Sequence, residues 1–152
     1  MSDHFTIELN NLSATKNFAA KMAAKIQSPC VIAMTGELGS GKTTFTQGFA
    51  RGMGIKDNVG SPTFKLVSEY QGEHLLLNHV DCYRLENEKD FFNIGGEKYL
   101  ESDGAITIIE WSEKIAKVVP HDAIKIEFKR IPEKPDGRSL VIEGWTPRTF
   151  WP

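Results

Sequence analysis

The segment GELGSGKTT, residues 36–44, carries the densest set of residues that could do chemistry. It matches the pattern G-x-x-x-x-G-K-[ST] and lies between an apolar run and a helix-like segment. Glycines without Cβ atoms let successive backbone N–H groups point inward at a phosphate chain. The helix that begins near Lys42 adds the positive end of its dipole at the same point. The segment therefore predicts a loop that binds nucleotide phosphates.

Several residues of this loop have an expected partner on the nucleotide. Lys42 supplies a mobile positive charge to the β and γ phosphates, and Thr43 offers its hydroxyl to Mg²⁺. Thr44 can donate to the α or β phosphate, although it could equally be an ordinary first-turn residue of the helix. Gly39-Ser40-Gly41 followed by Thr44 lacks the third glycine of a dinucleotide motif. The expected nucleotide contacts in the loop are Glu37, Leu38, Gly39, Ser40, Gly41, Lys42, Thr43 and Thr44.

Two carboxylates end apolar strand-like runs, Asp81 in HVDCYR and Glu110 in IIEWSEK. A magnesium ion held by one hydroxyl and phosphate oxygens also needs carboxylate help, directly or through water. Ligands collect at the carboxyl ends of strands in open α/β sheets, so both residues are candidate metal ligands. Which of them touches the ion directly is left open. His79 lies two residues before Asp81 and is expected to be a packing or hydrogen-bonding neighbour, because Mg²⁺ prefers oxygen.

Thr63, in NVGSPTF, is a candidate sensor of the γ-phosphate or its metal. The helix over residues 42–51 carries the chain roughly 15 Å away from the loop. Residues 52–62 can span about 30 Å when extended, so Thr63 can return to the phosphates. An ordinary strand-entry turn is an equally good interpretation of this segment.

The elements that must position these residues follow an α/β pattern. Strand-like runs occupy residues 5–9, 29–36 and 105–110, and hairpins occupy 65–81 and 123–145, the second on the sheet edge. Ser13 caps a helix with apolar Phe18, Met22 and Ile26, residues 85–100 are helical in pieces, and Ser112 begins a short helix. We expect residues 1–152 to form one P-loop NTPase domain, with a mainly parallel central sheet, antiparallel edge strands and flanking helices.

Composition limits the functions that this chain can have. With 18 Lys+Arg and 20 Asp+Glu the net charge is −2, which gives no general attraction for a polyanion. If RNA is involved, another subunit is expected to hold it. Cys30 and Cys82 lie in apolar runs and are expected to be buried thiols in a reducing compartment. Without a signal-like or membrane-spanning stretch, we expect a cytoplasmic protein with no membrane partner.

With these motifs in order, the sequence resembles the TsaE family, also called YjeE, small ATPases of bacterial tRNA threonylcarbamoyladenosine biosynthesis. The matching segments are GELGSGKTT, SPTF, HVDCYR and IIEWSEK, and the likeness runs from about Ser13 to Gly144. The first motif alone is shared by many unrelated enzymes, but the ordered set of four is far more specific.

The resemblance implies ATP and Mg²⁺ as cofactors. It also implies TsaB and TsaD homologues as partners in modifying adenosine 37 of tRNA, with tRNA reached only through the complex. The carbamoyl transfer itself is not expected of this family. The implied residue roles are Lys42 on phosphates, Thr43 with Asp81 and Glu110 around Mg²⁺, Thr63 in a mobile loop, Trp111 near the nucleotide and Ser13 near the adenine.

Two other functions fit the phosphate loop, a small-molecule kinase and a nucleotide-gated binding module. A kinase usually needs an arginine-bearing lid, and residues 85–100 contain no arginine. Arg84 could stabilise charge on the nucleotide or simply form an ion pair at a helix start. The tail TPRTFWP lies outside the resemblance, and Phe150 and Trp151 in it could fold back onto the domain or dock a partner.

Overall fold

The computed structural model describes residues 4–37, 39–60 and 66–145. Its strands are β1 His4–Leu9, β2 Cys30–Gly36, β3 Val67–Gln71, β4 Leu76–Asp81, β5 Ala105–Glu110, β6 Ile124–Ile131 and β7 Lys134–Glu143. Its α-helices are α1 Leu12–Lys25, α2 Lys42–Gly52, α3 Glu88–Asn93 and α4 Glu97–Leu100, and a 3-10 helix spans Ser112–Val118. Within these ranges, no helix has both the length and the apolar character needed to cross a membrane.

The seven strands form one sheet in the order β1-β7-β6-β2-β5-β4-β3. The central strands β6, β2, β5 and β4 are parallel, whereas β3, β7 and β1 pair in antiparallel fashion. Every residue of β5 is buried, as expected for a strand that is covered on both faces. The predicted fold class, a mainly parallel centre with antiparallel outer strands and flanking helices, is confirmed.

The β6–β7 hairpin does not form the sheet edge, and that prediction is wrong. β6 pairs in parallel with β2, and β1 covers β7 to become the outermost strand. The hairpin turn is also short, because Ile131 pairs with Lys134. Alternating hydrophobicity specifies which face of a strand is buried, but it does not specify the neighbouring strand.

Helix α1 begins earlier than its sequence suggests. Asn11 is its N-cap, with an extended backbone and a side-chain oxygen that accepts a hydrogen bond from the Ala14 N–H at 2.8 Å. The predicted Ser13 cap is wrong, since Ser13 already lies within the first turn. Phe18 and Met22 face the core as predicted, 8% and 0% exposed.

Helices α1 and α2 cover one face of the sheet at very close approach. A Cβ atom added at Gly48 would lie 2.4 Å from the Lys16 carbonyl oxygen, and one added at Gly52 would lie 2.3 Å from that of Ala20. Only glycine allows the two backbones to come this close. Phe45, at 0% exposure, anchors α2 in the core. Together with the two close glycine contacts, this burial fixes the position at which α2 begins.

The short helical pieces cover part of the other face. α3 and α4 are separated at Gly95, which has a φ of +73°, as the Gly95-Gly96 interruption predicts. The helix expected from Ser112 is a 3-10 helix that kinks at Ile115. Phe91 and Ile115 are fully buried there, in a hydrophobic cluster separate from the one beneath α1 and α2.

Candidate functional site

A cleft of about 360 Å³ opens at the carboxyl ends of β2, β4 and β5. It contains most of the residues that the sequence assigns to a nucleotide and its metal. Its lining residues are Gly39, Ser40, Gly41, Lys42, Thr43, Thr44, Leu66, Asp81, Tyr83, Arg84, Glu110, Trp111 and Arg138.

The glycine-rich segment between β2 and α2 contains backbone conformations that favour glycine. Gly39 and Gly41 have φ values of +76° and +106°, a region that residues with a Cβ rarely adopt. Gly41 is the N-cap of α2, and its carbonyl oxygen accepts the hydrogen bond of Phe45 N–H at 2.9 Å. The free amides of the first helical turn therefore face the cleft, as an anion site requires.

Lys42 is buried at 4% exposure beside the loop. Its Nζ donates hydrogen bonds to the Gly36 carbonyl and, at 3.1 Å, to the Glu37 carbonyl. The same ammonium group lies 4.1 Å from the centroid of the Trp111 ring. These partners are uncharged, so the positive charge of Lys42 is held in place without being neutralised by direct contact.

Burial lowers the pKa of Lys42 below its ordinary value of 10.5, because desolvation disfavours the charged form. The negative charges of Glu110, Glu113 and Asp81 oppose this shift without cancelling it. The cleft therefore holds a cation that would be stabilised by additional negative charge.

Glu110 lies at the centre of a short polar chain. The Thr43 hydroxyl donates to Glu110 Oε1 at 3.4 Å, and His79 Nε2 lies 2.5 Å from Glu110 Oε2. His79 is 0% exposed and Glu110 is 3% exposed, so the contact is buried. The expectation that His79 is a hydrogen-bonding neighbour is confirmed, and its partner is Glu110.

Asp81 ends β4 at the position that pairs with Glu110 at the end of β5. One of its carboxylate oxygens accepts a hydrogen bond from Tyr83 N–H at 2.9 Å. Two carboxylates and the Thr43 hydroxyl thus face one cleft. They are the hard oxygen donors that Mg²⁺ prefers, so the residues present fit that ion.

Trp111 forms an aromatic wall above the loop. Its φ of 58° and ψ of 41° make it the one residue other than glycine with a positive φ among those described. This strained backbone turns the ring toward the cleft, where the Tyr83 ring centroid lies 5.0 Å away. Sequence analysis overlooked Tyr83, which follows the strand end by two residues.

Several predicted residues lie elsewhere. Ser13 is exposed on α1 and does not line the cleft, and Glu37 is exposed and contributes its carbonyl oxygen. Leu38, Thr63 and the tail with Phe150 and Trp151 lie outside the described residues.

Cys82 is the buried thiol that the sequence predicts, whereas Cys30 is only half-buried, so the expectation is wrong for Cys30. Burial raises the pKa of Cys30 to about 11 and that of Cys82 to about 12, because desolvation disfavours a thiolate. Both are free thiols, and neither lines the cleft.

Arg138 is another cleft residue that the sequence analysis missed. It lies on β7, far along the chain from the loop, and it reaches Gly39 with a hydrogen bond of 3.1 Å to the carbonyl oxygen. The available signal was the alternation in RSLVIEGW, which places Arg138 on the same face as the buried Leu140.

Comparison with known proteins identifies relatives along most of the chain. The model of the family described as "Threonylcarbamoyl adenosine biosynthesis protein TsaE" matches residues 9–140. A Bacillus subtilis protein is 39% identical over 120 residues, which cover 79% of this chain and 74% of the relative. One from Treponema pallidum is 35% identical over 115 residues, which cover 76% and 84%. Both are named tRNA threonylcarbamoyladenosine biosynthesis protein TsaE. The crystal structure of B. subtilis YdiB is similar with a TM-score of 0.77 at 32% identity, and the match covers 98% of this chain and 90% of that one.

Proposed function

Because the chain belongs to the TsaE family, we propose that it binds and hydrolyses ATP with Mg²⁺ in the biosynthesis of threonylcarbamoyladenosine in tRNA. One observation carries this proposal. Lys42, Thr43 and Glu110 meet in a single cleft at the start of α2, next to the free amides of the phosphate-binding loop. This is the arrangement that a phosphate chain and an oxygen-ligated cation require.

The residues divide the work of phosphoryl transfer to water. When ATP binds, the Lys42 ammonium group leaves the two carbonyl oxygens and contacts the β and γ phosphates. Negative charge builds up there as the bond to the γ phosphorus breaks. Thr43, Asp81 and Glu110 would hold Mg²⁺, which neutralises phosphate charge when bound. The carboxylate of Glu110 or Asp81 orients the attacking water. Trp111 and Tyr83 shield the reacting groups from bulk solvent.

The proposed partners are homologues of TsaB and TsaD, and turnover of ATP resets the complex that modifies adenosine 37. Partner contact completes the site, and tRNA is reached only through the complex. The net charge of −2 supports this indirect role, since it gives the chain no general attraction for RNA. The protein acts in the cytoplasm as a P-loop ATPase domain over residues 1–152.

Substitution of Lys42 tests this proposal. We expect Lys42→Ala to abolish ATP turnover by the assembled complex, measured as release of inorganic phosphate, because the loop then lacks its mobile charge. Lys125→Ala is the matched control, since Lys125 is exposed on the opposite face of the sheet. Wild-type turnover by Lys42→Ala would contradict the proposal.

Product analysis separates hydrolysis from the two alternatives. Phosphate on an acceptor instead of free phosphate would indicate a kinase. A nucleotide-gated binding module would show partner affinity that depends strongly on nucleotide, together with full function in a variant that cannot hydrolyse ATP.

A further inference from the structure

Arg138 is a charged residue in the wall of the cleft that no step of the proposed mechanism uses. Its side chain is nine-tenths buried, at 9% exposure. The two terminal nitrogens are engaged, since Nη2 donates to the Gly39 carbonyl at 3.1 Å and Nη1 donates to the carbonyls of Pro135 and Gly137 at 2.8 and 2.6 Å. The Nε–H is buried and has no acceptor among the described residues.

No carboxylate among the described residues pairs with this guanidinium group. All of its acceptors are neutral carbonyls, and in the described part of the chain it forms no ion pair. A buried cation without a carboxylate partner destabilises a fold unless another negative charge approaches it. Within the described part of the chain, Arg138 therefore offers an N–H without an acceptor and a positive charge without an ion pair, both next to the loop.

A second arginine approaches the same point of the loop. Arg130 on β6 is the register partner of Arg138 on β7. A Cβ atom added at Gly39 would lie 2.7 Å from Arg130 Nη2. Two guanidinium groups therefore approach one glycine, and a polyanion bound there would meet both positive charges.

We propose that Arg138 contacts the phosphate chain of the bound nucleotide, with its Nε–H as donor and with the polyanion as its counter-charge. This inference rests on the proposed ATP-binding function and extends it to the β6–β7 hairpin. The hairpin becomes a part of the nucleotide site that lies outside GELGSGKTT, and Arg138 couples that site to strand β7.

Nuclear magnetic resonance of the full-length, unsubstituted chain tests the contact directly. The ¹⁵Nε–¹Hε correlation of Arg138 can be assigned by its disappearance in Arg138→Lys. We expect this signal to move when ATP or inorganic tripolyphosphate is added and to stay in place with adenosine. An unchanged signal at saturating ATP would overturn the inference.

Substitutions test the charge separately from the hydrogen bonds. We expect Arg138→Gln to weaken ATP binding about tenfold in calorimetry, and Arg138→Lys to weaken it less, because lysine keeps the charge but loses the Nε–H donor. Lys129→Gln is the matched control, since it removes one charge from the exposed face of the same hairpin. It should bind ATP as the unsubstituted chain does.

The outcomes distinguish this inference from the function on which it rests. If Arg138→Gln binds ATP as tightly as the unsubstituted chain does, Arg138 only anchors the loop and the inference fails. If the unsubstituted chain binds neither ATP nor tripolyphosphate, the proposed function fails with it. Circular dichroism checks that each variant is folded, and the resonance experiment decides if Arg138→Gln is not.

Discussion

The two sides of the cleft carry opposite charges. On one side, Asp81 and Glu110 end the parallel strands β4 and β5. On the other, Arg130 and Arg138 extend from the β6–β7 hairpin toward Gly39. The phosphate-binding loop lies between them because β2 lies between β5 and β6 in the sheet. We call these sides the acidic wall and the basic wall.

The opposite charges of the two walls would let the cleft hold a metal ion and a polyanion together, as the proposed function requires. The acidic wall suits a cation, and the basic wall suits an anion such as a phosphate chain. The walls are also held differently. Glu110 is fixed by a side-chain contact with His79, whereas Arg138 is fixed by backbone carbonyls. Substitutions on the two walls should therefore affect binding in opposite directions.

Among substitutions in the two walls, the largest effect is expected from Glu110→Gln. Turnover of ATP should fall on the order of a hundredfold, because the carboxylate that contacts Thr43 loses its charge. Affinity for ATP with magnesium chelated should stay the same or rise, since a negative charge near the phosphates is removed. Phosphate release and calorimetry measure the two effects, with exposed Glu101→Gln as control. Weaker binding of metal-free ATP would contradict the expectation that substitutions on the two walls affect binding in opposite directions.

Asp81→Asn should have a smaller effect of the same kind. We expect turnover to fall about tenfold, with a higher magnesium concentration needed for half-maximal rate. Asp81 is less buried than Glu110, and a backbone N–H already holds one of its oxygens, so less depends on its charge. A magnesium titration of the turnover rate measures the change. An unaltered magnesium requirement would restrict the acidic wall to Glu110.

The pH dependence of ATP binding tests the cation between the walls. Because burial lowers the pKa of Lys42, its ammonium group in the free protein loses its proton, as the pH rises, before the pH reaches 10.5. ATP affinity should therefore fall severalfold as the pH rises toward that value, and Lys42→Arg should remove the decline. The free energy of unfolding changes in the opposite direction to the ATP affinity. An unfolded chain holds the Lys42 proton more tightly, so the contribution of Lys42 to stability increases over the same range.

The smallest effect concerns the thiols. With their pKa values raised to about 11 and 12, Cys30 and Cys82 should resist alkylation by iodoacetamide at pH 8 in the folded protein. Both should react after unfolding in guanidinium chloride, as mass spectrometry would show. Cys82 directly follows Asp81, so rapid labelling of Cys82 would mean that the acidic wall is open to solvent.

The acidic wall could be predicted from the sequence and the basic wall could not. Asp81 and Glu110 each end an apolar strand, and parallel strands bring their carboxyl ends to one edge of the sheet. That inference needs only local pattern. Arg138 reaches the loop because β6 lies next to β2, which depends on long-range pairing. The hairpin was expected at the edge, so its arginines had no reason to be considered.

Competition between two nearby candidate cap residues explains the wrong N-cap predicted for α1. Asn11 and Ser13 are both good N-caps, and the sequence favours neither. Asn11 has the extended backbone that a cap needs, whereas Ser13 lies inside the first turn. The sequence did not predict the backbone conformation of Trp111 either. A left-handed conformation is strained for tryptophan and persists only where the surrounding structure holds it.

The pairing of β1 with β7 joins segments from opposite ends of the described chain. During synthesis on the ribosome, β1 has no partner until β7 has emerged. Phe5 and Phe18 meanwhile lack the indole of Trp145 against which they pack in the finished fold. Such distant pairing slows folding and prolongs the exposure of apolar side chains. The nascent chain is therefore most vulnerable to aggregation just before β7 is made.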